Sequence, residues 1–452
     1  MRCITERSWV CCSLALLACV GTSAAAAANP LVLFIVDGFR WDYQKLLPLG
    51  HKGSLHMIEK EGVRAKRVYP IFPSVSYASW TSIATGRWAE THGIVGNNMW
   101  DDQLGVFTLF NRTLTGQPGW WAAGSDPIWV TSTQQGVKTA VIGFSRCDVA
   151  VSGVKPAYCS PFEKFHGLQT IKDHLALAID KIDRGFKFVI VYAEHIDSVG
   201  HKYGPSGSKM QQAMVELDKE LSVFFKELDQ RKKLDKVNFV MVGDHGMTEV
   251  GAHVDTNFLY LDLYLSPLLA ERIIDRGAYT QIIPRASTRE QILNELASMP
   301  NVTVYTRDEF PTEWHYATHS RIPEILVLAD PGSVIVGTQT DNMLPRDLPG
   351  AWDGTRGIHG YTRNMTDMAT VFYARGPGFR RNYTQDPMEL VDIYQVLAHQ
   401  LDIEPRPHNG TWATVRHMFS PAPALRPALG GAALLAQAAL AALAAARVGT
   451  WV

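Results

Sequence analysis

Five short, largely apolar runs in this chain stop at polar or charged residues. They are Leu31–Val36 before Asp37, Phe186–Tyr192 before Glu194, Val237–Val242 before Asp244, Glu324–Ala329 before Asp330 and Thr370–Ala374 before Arg375. Runs of this length without polar alternation suit strands buried on both faces, as in a parallel sheet. Helical stretches separate them. In one of these, Met210, Met214, Leu217, Leu221, Phe224 and Leu228 recur at steps of three and four, which is a core-facing stripe and not a ligand box. Strands alternating with helices predict an α/β sandwich with a mostly parallel sheet and helices on both faces. With 46% apolar residues the chain has enough material for such a core. No internal repeat or long linker divides it, so one domain is expected over 29–420, with insertions.

The two ends read differently from the middle. Arg2 and Arg7 precede an apolar run from Trp9 to Val20 and then small residues up to Ala28, the pattern of a signal peptide over 1–28. The run is shorter than the ~20 residues a membrane span needs, although a retained anchor is the alternative. At the other end, 421–452 is an alanine-rich apolar tail resembling a lipid-anchor signal, with a weak transmembrane helix or an unprocessed tail as rivals. An extracellular, lipid-anchored or secreted protein is therefore expected. Removal of the leader would leave Cys147 and Cys159 as the only cysteines. In an oxidising compartment they are expected to pair, leaving none for a covalent dimer; two buried free thiols are the alternative. Five N-x-S/T sequons, at Asn111, Asn301, Asn364, Asn382 and Asn409, suggest a glycosylated surface. A formal net charge of −1 with no basic stripe argues against a nucleic-acid polymer as partner.

In open α/β sheets, ligand-binding groups gather beyond the carboxyl ends of strands. Asp37, Asp197, Asp244 and His245 lie there or a few residues further on, and His201 and His359 add two imidazoles. Carboxylates and imidazoles together suit zinc. A catalytic zinc takes about three protein ligands, so six imply two ions, the usual clamp for in-line phosphoryl displacement. Taken singly, an Asp-His pair after a strand is more often a cap or surface feature. The joint occurrence carries the signal.

These segments resemble the ectonucleotide pyrophosphatase/phosphodiesterase family, within the alkaline phosphatase superfamily. The resemblance rests on F-P-S-V-S-Y, T-G-R, G-N-N-M-W, P-I-W-V-T, H-K-Y-G-P and H-N-G-T-W and covers nearly the whole chain after the leader. It leans toward the family's choline-specific glycerophosphodiesterase branch. The resemblance implies an alkaline-phosphatase-like fold and a phosphodiesterase domain. It makes Ser76 the nucleophile, which forms a phosphoserine intermediate. It groups Asp37, Ser76, Asp244 and His245 around one zinc and Asp197, His201 and His359 around the other, and it gives Asn97 a hydrogen bond to a phosphoryl oxygen. Ala78 stands where that branch usually has proline, which bears on the local loop but not on the ligand set.

A choline branch implies substrates such as glycerophosphocholine and lysophosphatidylcholine, cleaved to phosphocholine. Their quaternary ammonium calls for aromatic faces and a carboxylate. Trp120, Trp121, Tyr192 and Glu194 are the candidates. The plain alternatives are ordinary packing for the tryptophan pair and support of a metal-bound histidine for Glu194. Two rival readings are a nucleotide pyrophosphatase using the same metals and a catalytically silent binding ectodomain. The silent ectodomain would be expected to lack a ligand, and none is missing.

Overall fold

The computed structural model describes residues 29–421 apart from 123, 164–166, 252–253, 255, 338–339 and 346–353. The signal segment and all but the first residue of the C-terminal tail therefore lie outside the described residues. Among the described residues, no helix is long and apolar enough to cross a membrane.

The apolar runs build an eight-stranded sheet. Its order is Tyr383–Gln385, Gly62–Ala65, Phe372–Arg375, Asn238–Val242, Leu31–Val36, Phe188–Ala193, Thr139–Ile142, Tyr158–Ser160. Leu31 stands opposite Phe188 on one side and Asn238 on the other, both parallel. The outer pairings are also parallel, and only Phe372–Arg375 runs antiparallel to its neighbours. Strand side chains alternate between faces. Leu31, Leu33 and Ile35 enter one core with residues of helices Ser76–Thr85 and Ile393–Leu401. Val32, Phe34 and Val36 enter a second core with Met210, Met214, Leu217, Leu221, Phe224 and Leu228. Every residue of Leu31–Val36 is buried because both faces are covered.

One run behaves differently from expectation. Ile325–Ala329 belongs to a second, five-stranded sheet and is antiparallel to both its neighbours, Val302–Thr306 and Tyr279–Pro284. An apolar run reports burial on both faces but not which sheet buries it or in what direction. This second sheet continues through Ala270–Ile274 to Met343–Leu344, and its turn at Asp275–Ala278 reaches the site described next.

Cys147 and Cys159 form a disulfide with Cα atoms 5.8 Å apart. All five sequon asparagines are exposed. Asn111 caps a short helix, its side-chain oxygen accepting from the Leu114 amide at 3.1 Å.

Candidate active site

The site sits at the carboxyl ends of the central strands. Asp37 directly follows Leu31–Val36, and Asp244 and His245 follow Asn238–Val242. Asp197 and His201 are four residues apart on helix His195–Tyr203, so they share one face. Ser76 opens helix Ser76–Thr85. His359 follows the short strand Gly357–Ile358.

These side chains converge. His245 Nε2 lies 3.3 Å from Ser76 Oγ, 3.3 Å from Asp37 Oδ1 and 3.5 Å from Asp244 Oδ2. Asp197 lies 3.4 Å from His201 Nε2 and 3.8 Å from His359 Nε2. The His245 and His359 rings stack with centroids 3.6 Å apart. Two sets of ligand atoms, each within 4.8 Å of one another, could hold an ion: Asp37, Asp244 and His245, and Asp197, His245 and His359. His245 thus faces both positions, where the sequence grouping gave it to one. His201 reaches only the second, through Asp197.

The imidazoles are wired alike. Their Nδ1 atoms lie against main-chain carbonyls: His245 on Gly246 at 2.9 Å, His201 on Gly357 at 2.8 Å and His359 on Ser74 at 2.8 Å. A carbonyl only accepts, so each Nδ1 carries the proton and each Nε2 presents a lone pair to the centre. Burial holds His245 and His359 below the ordinary imidazole range, so both are neutral near pH 7. Burial, with the neighbouring Asp244 and Asp197 carboxylates, pushes Asp37 well up. Burial also raises Asp197 and Asp244. Asp37 Oδ1 and Asp197 Oδ1 are buried without a hydrogen-bond partner. Lone pairs and carboxylates that face one another with no donor between them are costly to bury, and a cation removes that cost. The residues therefore fit bound divalent metal.

A supporting layer orients the carboxylates. Trp80 donates its indole N–H to Asp244 Oδ2 at 2.9 Å, and the Gly38 amide donates to Oδ1 at 3.1 Å. Tyr192 donates its hydroxyl to Asp37 Oδ2 at 2.5 Å. Asn97 accepts from the Tyr77 amide at 2.8 Å through its side-chain oxygen, leaving its NH2 as a donor.

Ser76, Asn97, Asp197, His201 and His359 line a cavity of ≈ 250 Å³. None of the expected ammonium-binding residues does. Trp120 is fully buried against Phe107, with the Arg321 guanidinium over its ring at 4.7 Å. Trp121 is buried and donates to the Thr115 carbonyl at 2.8 Å. The Tyr192 ring packs between Trp80 and Phe162 and spends its hydroxyl on Asp37. Glu194 Oε1 accepts from the Gly167 amide and the Thr170 hydroxyl at the start of helix Leu168–Asp183. The cavity is lined instead by Asn98, Phe110, Asp275, Arg276 and Tyr279, among others. Sequence reasoning missed these five. Only Asn98 had a signal, its place beside Asn97 in G-N-N-M-W.

A metal-dependent phosphodiesterase, with a mostly parallel sheet and a serine hydroxyl beside two groups of possible metal ligands, is the class that this fold and site fit. The chain belongs to the type I phosphodiesterase / nucleotide pyrophosphatase family, whose model matches residues 31–362. Human ectonucleotide pyrophosphatase/phosphodiesterase family member 5 is 30% identical over 415 residues, covering 90% of this chain and 82% of the relative. A bis(5'-adenosyl)-triphosphatase from Xenopus laevis is 28% identical, covering 89% and 84%. The solved murine member 5, an inactive threonine-to-alanine variant in complex with AMP, superposes with a TM-score of 0.77 at 29% identity, covering 87% of this chain and 100% of that one. These relatives support the phosphodiesterase family and not its choline-specific branch.

Proposed function

We propose that this chain hydrolyses nucleotide phosphodiester or pyrophosphate bonds through Ser76. Asp37, Asp244 and His245 would hold one zinc ion and Asp197, His201 and His359 the other, with His245 between the two positions. The observation that carries the reading is the meeting of the Ser76 hydroxyl, the His245 lone pair and the unpartnered Asp37 and Asp197 oxygens at one end of a cavity. Bound zinc supplies Lewis-acid charge that favours a serine alkoxide and offsets charge on the phosphoryl oxygens. The chain's own residues do the rest. Ser76 Oγ attacks phosphorus, the leaving group departs from the opposite side and a phosphoserine remains, which water then cleaves to restore the hydroxyl. The Asn97 NH2 donates to a phosphoryl oxygen.

Nucleotides are preferred as substrates because the relatives' names carry them and because the choline reading has lost its physical basis. A choline ester needs aromatic faces and a carboxylate around the ammonium, and the residues expected to supply them are occupied elsewhere. The p-nitrophenyl ester of AMP, assayed against glycerophosphocholine, tests the choice. Faster turnover of the nucleotide is expected, and a preference for glycerophosphocholine overturns it. An extracellular setting accords with the disulfide and the exposed sequons, and the apolar tail sequence is the basis for proposing a lipid anchor.

A further inference from the structure

The cavity is also lined by a carboxylate, Asp275, that the proposed mechanism does not use. Apart from Asp197, it is the only carboxylate among the described residues lining the cavity. It is held from two sides. Asn98 donates its side-chain N–H to Oδ1, and Tyr279 donates its hydroxyl to Oδ2 at 2.9 Å. The backbone is held too. Asp275 adopts φ 63°, a left-handed turn conformation that aspartate tolerates, and its amide donates to the Leu344 carbonyl at 2.9 Å. The adjacent Arg276 does not neutralise it by contact, because its guanidinium donates to the Met343 sulfur and the Pro345 carbonyl.

A carboxylate has about four acceptor positions, and the Asn98 side chain, the Asn98 amide and Tyr279 engage three of them, leaving about one. The remaining capacity belongs to a group lining the cavity. A phosphoryl group attacked by Ser76 lies at the Ser76 end, so the substrate's organic group is left to meet the other lining residues, Asp275 among them.

From this arrangement we infer that Asp275 is a specificity-determining residue: it accepts a hydrogen bond from an N–H donor on the substrate's organic group, as the amino group of a nucleobase provides. Tyr279 and Asn98 are positioning residues that aim it. This inference rests on the nucleotide reading above, and it places base recognition on the second sheet. Sites built to hydrogen-bond a substrate N–H discriminate strongly against analogues lacking it, because their own polar group is then left unpaired.

The test measures Kd for AMP and for inorganic phosphate on the zinc-loaded protein, together with kcat/KM for the p-nitrophenyl ester of AMP and for bis(p-nitrophenyl) phosphate, which has no N–H. Asp275→Asn is expected to weaken AMP about tenfold or more while phosphate shifts less than about twofold, with kcat/KM falling mainly for the AMP ester and mainly through KM. Tyr279→Phe should shift the same ratio in the same direction by less. Burial pushes Asp275 up to about 6, so in the wild type KM for the AMP ester should rise as pH falls through that value, relative to the aryl diester. That pH measurement needs no variant and stands if Asp275→Asn does not fold. Equal losses for both ligands and both esters, or no loss for either, overturn the inference. If bis(p-nitrophenyl) phosphate is not hydrolysed by the wild type, the proposed function fails instead.

Discussion

The cavity has two walls, and they are built on different principles. One wall carries Ser76, Asp197 and His201 on helices and His359 after a short separate strand, with Asp37, Asp244 and His245, which follow central strands, immediately behind. Its lone pairs converge on common points and are oriented by main-chain carbonyls and an indole N–H. The wall from the second sheet carries Asp275, Arg276 and Tyr279, where one carboxylate is already partly satisfied by its neighbours. Convergent lone pairs mean stored repulsion and a demand for cations. A partly satisfied acceptor makes no such demand and can discriminate among donors. Damage to the first wall should therefore stop all substrates alike, and damage to the second should re-rank them.

The largest effect falls on the nucleophile. Ser76→Ala should lower turnover of every phosphodiester by about 1,000-fold or more while zinc content and fold persist. Ser74→Ala should cost far less, since the Ser74 hydroxyl only donates to the Ile71 and Tyr361 carbonyls and its own carbonyl survives the change. An active Ser76→Ala protein beside a dead Ser74→Ala protein would put the nucleophile two residues away.

Next in size is the metal itself. Elemental analysis of active protein should find about two zinc ions per chain, and chelation should abolish turnover and lower Tm, because Asp37, Asp197 and Asp244 would then be buried without counter-charge. One ion or none in fully active protein sinks the two-ion reading.

A smaller effect tests the oriented layer. Trp80→Phe keeps a ring but removes the donor to Asp244 Oδ2. Zinc affinity should fall about 10–100-fold, with selectivity among substrates unchanged. A change in selectivity would show that the two walls are not separable.

The smallest effect concerns Glu194. Glu194→Gln should change choline and aryl substrates by the same small factor, since this carboxylate caps a helix start behind the site. A loss confined to choline esters would restore the discarded reading.

The two walls also differ in how legible they were. Asp37 and Asp244 stand just beyond apolar runs, and a carboxylate at a strand's carboxyl end is visible in the sequence because periodicity and residue type change together. Asp197 and His201 share a helix face at a spacing that can be counted. Asp275 has no such frame. It lies in a turn between antiparallel strands, where an aspartate is an ordinary turn former, and its role depends on Asn98, 177 residues away in sequence. The four residues expected around an ammonium lie outside the described cavity for a related reason. Alternation places Tyr192 and Glu194 on one face only if the strand continues, but the strand ends at Ala193 and Glu194 already has helical backbone angles, while Asp37 takes the Tyr192 hydroxyl. The central sheet was legible from its strand runs, whereas the second sheet was not, because Ile325–Ala329 is as apolar as Leu31–Val36.

The carbonyls behind the three imidazoles carry an implication for how this centre tolerates sequence drift. An acceptor that belongs to the main chain cannot be deleted by a point substitution, so no exchange at 74, 246 or 357 removes the group that sets a histidine's tautomer. Two of the three acceptors are nonetheless glycines in tight quarters. A Cβ on Gly246 would meet the Asp367 carbonyl oxygen at 1.8 Å, and one on Gly357 would meet that of Gly200 at 2.5 Å. At those positions inheritance is constrained by room for the chain and not by chemistry. Position 74 is the one of the three where a different side chain could be accepted while the histidine keeps its anchor.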